Sequence, residues 1–358
     1  MKLLYTTKLE EYGMGNFTEY RIPAIVVTKK GTIITACESR REAGNDWSGV
    51  WITIRRSVDG GKTFSRPVYP HESLGEKVGE TVVTWSNPVL IADEERIHLI
   101  FHQDYEKAWY CCSCDEGISF GVPVEITETF RALPWNWNVC ASGPGHGIVS
   151  DRGRLVIPIW LAKGEIRLDL DKSGRIKNHF PSVAGCIYSD DRGTSWKPGF
   201  VTQGIENANE TTVVQMCSGN FLFNFRNERF EKCRVMGIAD AQLSKLSRVW
   251  SETSLPDPTC FGSMVKTDKK KYFVNCAHND PAGFYGERIH LTVYESQDEA
   301  VTWKPLFEVD EKGGYADIGA DEKGGYADIG ADEKGLYILY ERGVAGRVKM
   351  LLLKRYIW

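Results

Sequence analysis

The chain has almost no long amphipathic helical periodicity and no apolar run long enough to span a bilayer. The first absence excludes a mainly helical architecture, and the second argues against a helical membrane span. Charge of one sign is also lacking. The 44 Lys and Arg face 48 Asp and Glu, a formal net charge of −4, which argues against nucleic acid or an anionic membrane as the main partner. No metal-ligand cluster or phosphate-binding loop is present, so neither a metal nor a cofactor is expected. Ten cysteines would suffice for disulfides, yet they show no framework spacing, and Cys111-Cys112-Ser113-Cys114 is neither a zinc pair nor a CxxC motif. The N-terminal Met1-Lys2-Leu3-Leu4-Tyr5-Thr6-Thr7 lacks an apolar secretion core. Reduced, mostly buried thiols in a cytoplasmic protein are therefore expected, although a secreted mature chain stripped of its leader would read the same way.

What the sequence does contain is short apolar runs, such as Ala24-Ile25-Val26-Val27, Ile97-His98-Leu99-Ile100-Phe101 and Leu155-Val156-Ile157-Pro158-Ile159, divided by Gly, Asp and Pro. These read as strands. Four stretches repeat the pattern Ser-x-Asp-x-Gly-x-Thr-Trp. They are Ser57–Phe64, Ser113–Phe120, Ser189–Trp196 and Ser296–Trp303. Asp followed by Gly, flanked by hydroxyls and closed by an aromatic, is the chemistry of a tight β-turn. Repetition at blade-sized intervals points to a propeller. The last interval is about twice the first, and Met236-Gly237-Ile238-Ala239-Asp240, followed by Trp250, sits where a degenerate copy would fall. Counting it, and a final unit built across the termini, the expectation is an all-β, six-bladed propeller of four-stranded antiparallel blades. No linker or low-complexity run divides it, so residues 1–358 read as a single domain.

Three arginines sit where surface charges do not belong. Arg21 opens a strand in Tyr20-Arg21-Ile22-Pro23, Arg226 closes Phe223-Asn224-Phe225, and Arg288 precedes Ile289-His290-Leu291-Thr292-Val293. Buried charge is costly unless paired. Either each Arg pairs with a local acid and holds blades together, or the three form a site for an anion. Guanidinium suits a carboxylate because its planar fork can bond both oxygens.

These residues resemble the sialidase (neuraminidase) family, over essentially the whole chain. Tyr20-Arg21-Ile22-Pro23 matches that family's Phe/Tyr-Arg-Ile-Pro motif. The Asp boxes, Trp85-Ser86-Asn87-Pro88, Gly143-Pro144-Gly145-His146-Gly147-Ile148 and Asp257-Pro258-Thr259-Cys260 resemble its members in order. Asp boxes alone are shared with unrelated proteins. The arginines and a late Gly-Tyr-x-Asp are more specific. The resemblance implies that Arg21, Arg226 and Arg288 grip the carboxylate of a terminal sialic acid and that Arg40, beside Arg41, is a further site arginine. It also implies that Asp46, in the loop Gly44-Asn45-Asp46-Trp47-Ser48, is the acid/base, and that Glu210 partners a Tyr nucleophile. Read alone, Asp46 is a turn residue and Glu210 a strand-edge residue. His146 reads as a packing or rim residue, and Trp47, Trp135 and Trp137 either line a sugar pocket or pack in the core.

Sialidases use a Tyr nucleophile where most glycosidases use two carboxylates. An anionic substrate repels a carboxylate nucleophile. A neutral phenol avoids this, but its ordinary pKa of ~10 requires a neighbouring base to take the proton. The candidate Tyr occurs twice, because Asp310–Ala320 recurs identically as Asp321–Ala331, and a third Asp332-Glu333-Lys334-Gly335 follows. Tyr326 is the expected nucleophile, since its strand runs through Asp332–Gly335 directly into Leu336–Glu341 as an intact hairpin. Tyr315 is the alternative. The implied activity is an exo-α-sialidase acting with retention on sialylated glycans. A sialic-acid-binding propeller without turnover, a hydrolase of a deaminated sialic acid and a trans-sialidase are the competing readings.

Overall fold

The alternation of apolar runs with turn residues gives regular structure that, among the described residues, is almost wholly strand. A computed structural model describes residues 1–42, 44–75, 83–169, 174–229, 231–267, 272–279, 288–311, 326–344 and 347–358. Among these residues the single α-helix is the five-residue Thr127–Arg131. No helix there is long and apolar enough to cross a membrane.

Antiparallel sheets succeed one another along the chain. Trp85–Ala92, Ile97–Gln103, Lys107–Ser113 and Val124–Glu125 form one, which Gly145–His146 joins in parallel. Ile148–Val149, Leu155–Ala162, Ser182–Ser189 and Lys197–Val201 form the next, with Val139–Ser142 also paired to Leu155–Ala162. Thr211–Gln215, Phe221–Phe225, Cys233–Ala239 and Leu246–Pro256 follow, then Met264–Lys266, Tyr272–Asn279, Arg288–Ser296 and Lys304–Asp310. The last sheet joins both chain ends. Lys2–Glu11 pairs with Arg347–Ile357, which continues through Gly335–Val344 to Ala327–Asp332.

Neighbouring sheets touch through their inner strands. Ala327–Asp332 packs on Glu19–Val27 and Met264–Lys266, Glu19–Val27 on Trp85–Ala92, Leu155–Ala162 on Thr211–Gln215, and Thr211–Gln215 on Met264–Lys266. Trp85–Ala92 packs on Val139–Ser142, and the ring closes as a propeller. The apolar core lies between adjacent sheets, as where Phe221, Phe223 and Phe225 meet Phe200 and Ala184.

The expected six four-stranded blades need correction, because five blades of four or five strands are found. Glu19–Val27, Ile33–Arg40 and Val50–Ser57 make a sheet of only three strands. Beyond Ser57, among the described residues, no fourth strand forms on this sheet, and the one isolated antiparallel bridge joins Val68 and Ile54, which exchange backbone hydrogen bonds of 2.9 Å. Pro70, two residues on, has no N–H for the next rung, and the chain turns into a short 3-10 helix, Pro70–Leu74.

The four Asp boxes are one turn built four times. In each, Ser57, Ser113, Ser189 or Ser296 donates its hydroxyl to the box Asp at 2.7–2.8 Å. That Asp also takes the N–H and hydroxyl of the residue four places on, at 2.8–3.0 Å and 2.6 Å. Gly193 shows why glycine recurs. Its φ is +84°, and a Cβ there would lie 2.1 Å from the Tyr110 hydroxyl. Asp240 takes the N–H and hydroxyl of Ser244 in the same way, so the degenerate fifth copy keeps its carboxylate chemistry without the flanking Ser and Gly. Trp250 is not part of that turn and lies on the outer strand Leu246–Pro256.

Candidate active site

In an antiparallel sheet the first strand begins at the edge where the second ends. Residues opening first strands and closing second strands therefore collect at one pole of the ring. Arg21 lies at the start of Glu19–Val27, Glu210 and Tyr326 directly precede Thr211–Gln215 and Ala327–Asp332, Arg40 closes Ile33–Arg40 and Arg226 directly follows Phe221–Phe225.

Local backbone aims Arg21 inward. Pairing between Glu19–Val27 and Ile33–Arg40 is interrupted between Arg21 and Ala24, a bulge where Pro23 offers no N–H. Ile22 within it has φ +55°, a strained value for a β-branched residue. The Ile22 N–H donates to Glu341 at 2.9 Å. The sequence Ser86-Asn87-Pro88 repeats the device on the neighbouring strand, with a register break and φ +52° at Asn87.

At the centre is the Tyr326 phenol. It donates to Glu210 Oε1 at 2.7 Å, and Arg226 Nη1 reaches the same phenol oxygen at 2.9 Å and Glu210 Oε2 at 2.5 Å. The ring stacks on Phe261 with centroids 6.0 Å apart, while the guanidinium carbons of Arg21 and Arg288 lie 5.2 and 5.7 Å from its centroid. Burial, then the Glu210 charge, pushes the phenol well above its ordinary range, against the pull of Arg226 and Arg288. Burial opposes the charge on Arg226, but Glu210 and Tyr326 outweigh it and keep the guanidinium firmly protonated.

Beside this cluster lies a second one. Arg40, 1% exposed, gives Nη1 to Asp46 at 2.6 Å and both Nε and Nη2 to Glu38. Asp46 is 30% exposed, the accessible member of the trio. The charges of Arg21 and Arg40 act on one another, which joins the two clusters. Arg288 donates Nη2 to the Thr259 carbonyl at 3.1 Å.

The structure thus brings Arg21, Arg226, Arg288, Glu210 and Tyr326 around one phenol ring, with Arg40 and Asp46 paired alongside. Tyr315 lies outside the described residues. Trp47, in the Asp46 loop, packs at a tilt against Tyr105 with ring centroids 4.8 Å apart. Trp135 and Trp137 pack instead against the core of the adjoining sheets, under Lys163 and Arg131.

Several site residues escaped the sequence reading. Glu341, fully buried, takes Nε and Nη2 of Arg21 at 3.3 Å and the backbone N–H groups of Ile22 and Tyr326. Its signal was a lone carboxylate ending the apolar run Leu336-Tyr337-Ile338-Leu339-Tyr340. Arg234, 1% exposed, binds Asn224, Asp257 and the Cys260 carbonyl, and so holds the loop that carries Thr259 and Phe261. His146, expected from the sequence as a packing or rim residue, is buried and pairs through Nδ1 with Asp328 at 2.8 Å, and Asp328 in turn takes the Ser263 hydroxyl and the Ile25 N–H. Burial opposes a charge on His146, yet Asp328 raises its pKa above the ordinary value. Among the described residues no group of His, Cys, Asp and Glu could hold a metal ion. Nine described cysteines are free, six of them buried, one half-buried, and Cys114 and Cys217 exposed.

The sequence pattern of the family described as BNR repeat-like domain matches residues 70–337. A sialidase of Bacteroides fragilis is 26% identical over 342 residues, 85% of this chain and 58% of that protein. An exo-alpha-sialidase of Arthroderma benhamiae is 26% identical over 347 residues, 86% of this chain and 76% of that protein. The chain thus spans less than two thirds of the Bacteroides protein's length. Among solved structures, a Hadza microbial sialidase superimposes with a TM-score of 0.75 at 20% identity, covering 98% of this chain and 68% of that one. Trypanosoma rangeli sialidase superimposes with a TM-score of 0.71 at 17% identity, covering 98% and 59%. At these identities the structural likeness establishes a shared fold, the β-propeller.

Proposed function

Because the chain belongs to the BNR repeat-like domain family, we propose that it is an exo-acting sialidase, a retaining glycoside hydrolase that removes terminal α-linked sialic acid and works as one domain over residues 1–358. The observation that carries this reading is the 2.7 Å contact from Tyr326 to Glu210 inside a set of three arginines. A lectin needs the arginines but has no use for a phenol poised on a base.

In this reading Arg21, Arg226 and Arg288 bind the substrate carboxylate and orient the ring. Glu210 takes the phenol proton as Tyr326 oxygen bonds to the anomeric carbon, and Asp46 protonates the departing glycosidic oxygen. In the second half Asp46 takes a proton from water, which attacks the anomeric carbon. The phenol oxygen leaves and recovers its proton from Glu210. Two inversions give net retention. A sugar hydroxyl in place of water would make the same intermediate a route to transfer.

Release of a fluorescent phenol from an aryl α-glycoside of N-acetylneuraminic acid tests the proposal, with Asp46→Ala beside wild type. Release by wild type and its loss in the variant are expected. No release by wild type would favour a binding protein or a different nine-carbon acid.

A further inference from the structure

We propose that Glu38 is a positioning residue for the general acid, fixing through Arg40 both where Asp46 sits and how readily it gives up its proton. The inference rests on the sialidase reading of the site.

The geometry carries it. Glu38 and Arg40 are each 1% exposed. Arg40 gives Nε at 2.9 Å and Nη2 at 2.5 Å to one Glu38 oxygen, and the other Glu38 oxygen takes the Asn87 N–H at 2.8 Å. Only Nη1 is turned to Asp46, at 2.6 Å. Glu38 therefore locks the guanidinium plane from behind, and that plane determines where the Asp46 carboxylate rests. The Asn87 bond also ties the pair to the neighbouring strand Trp85–Ala92 at its bulge.

The electrostatics give the arrangement a catalytic purpose. A guanidinium beside a carboxylate favours the charged form, whereas a general acid must arrive protonated. Glu38 divides the Arg40 charge between two carboxylates and weakens its hold on Asp46. Other charged and titratable groups among the described residues also face this trio. Arg21 and Glu19 lie opposite Glu38 and Arg40 on the paired strand. Arg21 is occupied by Glu341, and Glu19 accepts the Gly44 N–H at 3.0 Å. Tyr105, on the far side, is buried, and burial, then the charges of Glu38 and Asp46, keeps its phenol neutral.

The test is kcat/KM as a function of pH for wild type, Glu38→Gln and Glu38→Asp, on two substrates. One is an alkyl sialoside, whose leaving oxygen needs a proton, and the other a 4-nitrophenyl sialoside, whose leaving group does not. Glu38→Gln is expected to lose on the order of 10²-fold on the alkyl substrate and only a few-fold on the aryl one. Its alkaline limb moves to lower pH, because Asp46 now faces Arg40 without the shared counter-charge. Glu38→Asp keeps the charge but is too short to reach both Arg40 and the Asn87 amide. It should show the same selective loss on the alkyl substrate with the limb near wild type, and it carries the test should Glu38→Gln not fold. Equal losses on both substrates with an unmoved limb would overturn the proposal and leave Glu38 a structural partner. A wild-type protein that cleaves neither sialoside would sink the sialidase reading itself, and this inference with it.

Discussion

Tyr326 donates its phenol hydrogen to Glu210 across 2.7 Å, and the two residues are 116 positions apart in the chain. The contact is placed by the ring itself. Tyr326 directly precedes the innermost strand of the sheet that joins the chain ends, and Glu210 directly precedes the first strand of another sheet. A base 2.7 Å from the phenol answers its difficulty as a nucleophile, since burial and the Glu210 charge both resist ionisation until the proton has a destination.

Tyr326→Phe should therefore lower kcat by roughly 10³-fold or more on an aryl sialoside, the scale of losing a covalent nucleophile. Tyr315→Phe should leave turnover near wild type. Steady-state release of the phenol from both variants checks this, and the reverse pattern would move the role to the first copy.

Glu341→Gln should destabilise the protein by about 3 kcal/mol, because it leaves the Arg21 guanidinium buried without its counter-charge. The same change loosens the backbone of Ile22 and Tyr326, whose N–H groups end on that carboxylate. Urea unfolding reads the stability, and KM should rise because Arg21 loses its fixed orientation. Unchanged stability would show that the pair is not formed.

The Asp boxes should make stability fall in acid. Burial opposes the charge at Asp115, yet hydrogen bonds within each turn lower the box carboxylates, to about 2 at Asp115, Asp191 and Asp298, and Asp59 lower still. A depressed folded pKa contributes stability that is full above the unfolded value of about 3.9 and is lost as pH falls through the folded one. The urea midpoint should thus drop between about pH 4 and 2, and Asp115→Asn should flatten that drop. An equally steep acid limb in the variant would assign the effect elsewhere.

His146 should act in the opposite direction. Its folded pKa is raised, despite burial, by Asp328, so its contribution is full below the unfolded value of about 6.5 and is lost as pH rises through the higher folded value. Urea midpoints measured from pH 5.5 to 9 should fall more in wild type than in His146→Gln. Because Asp328 lies two residues from Tyr326, the variant should also lower kcat. Parallel pH curves would show that His146 stays neutral.

Much of this arrangement is legible in the sequence, and unevenly so. The four Asp boxes declare themselves because each turn closes its hydrogen bonds within eight residues. Arg21, Arg226 and Arg288 stand out because a charge inside an apolar strand needs a reason. Glu38 and Glu341 are equally buried but do not stand out, one between a Cys and a Ser, the other inside a strand just past its apolar run. Nothing near them in the chain names a partner, since Glu341 meets Arg21 across 320 positions. The strand count failed for a different reason. Four-stranded blades are the default of the repeat, and only the pairing of Val68 with Ile54 reveals that Pro70 halts the fourth strand of one sheet.

By itself, then, the sequence determined the turns, the strands between them and the types of residue assembled for chemistry, because hydrogen bonds and side-chain alternation over a few residues are enough to specify those. The tertiary structure decided which charges meet. Closing the ring brings strand ends from distant parts of the chain to one pole, where desolvation makes each buried charge depend on a neighbour that the local sequence does not contain.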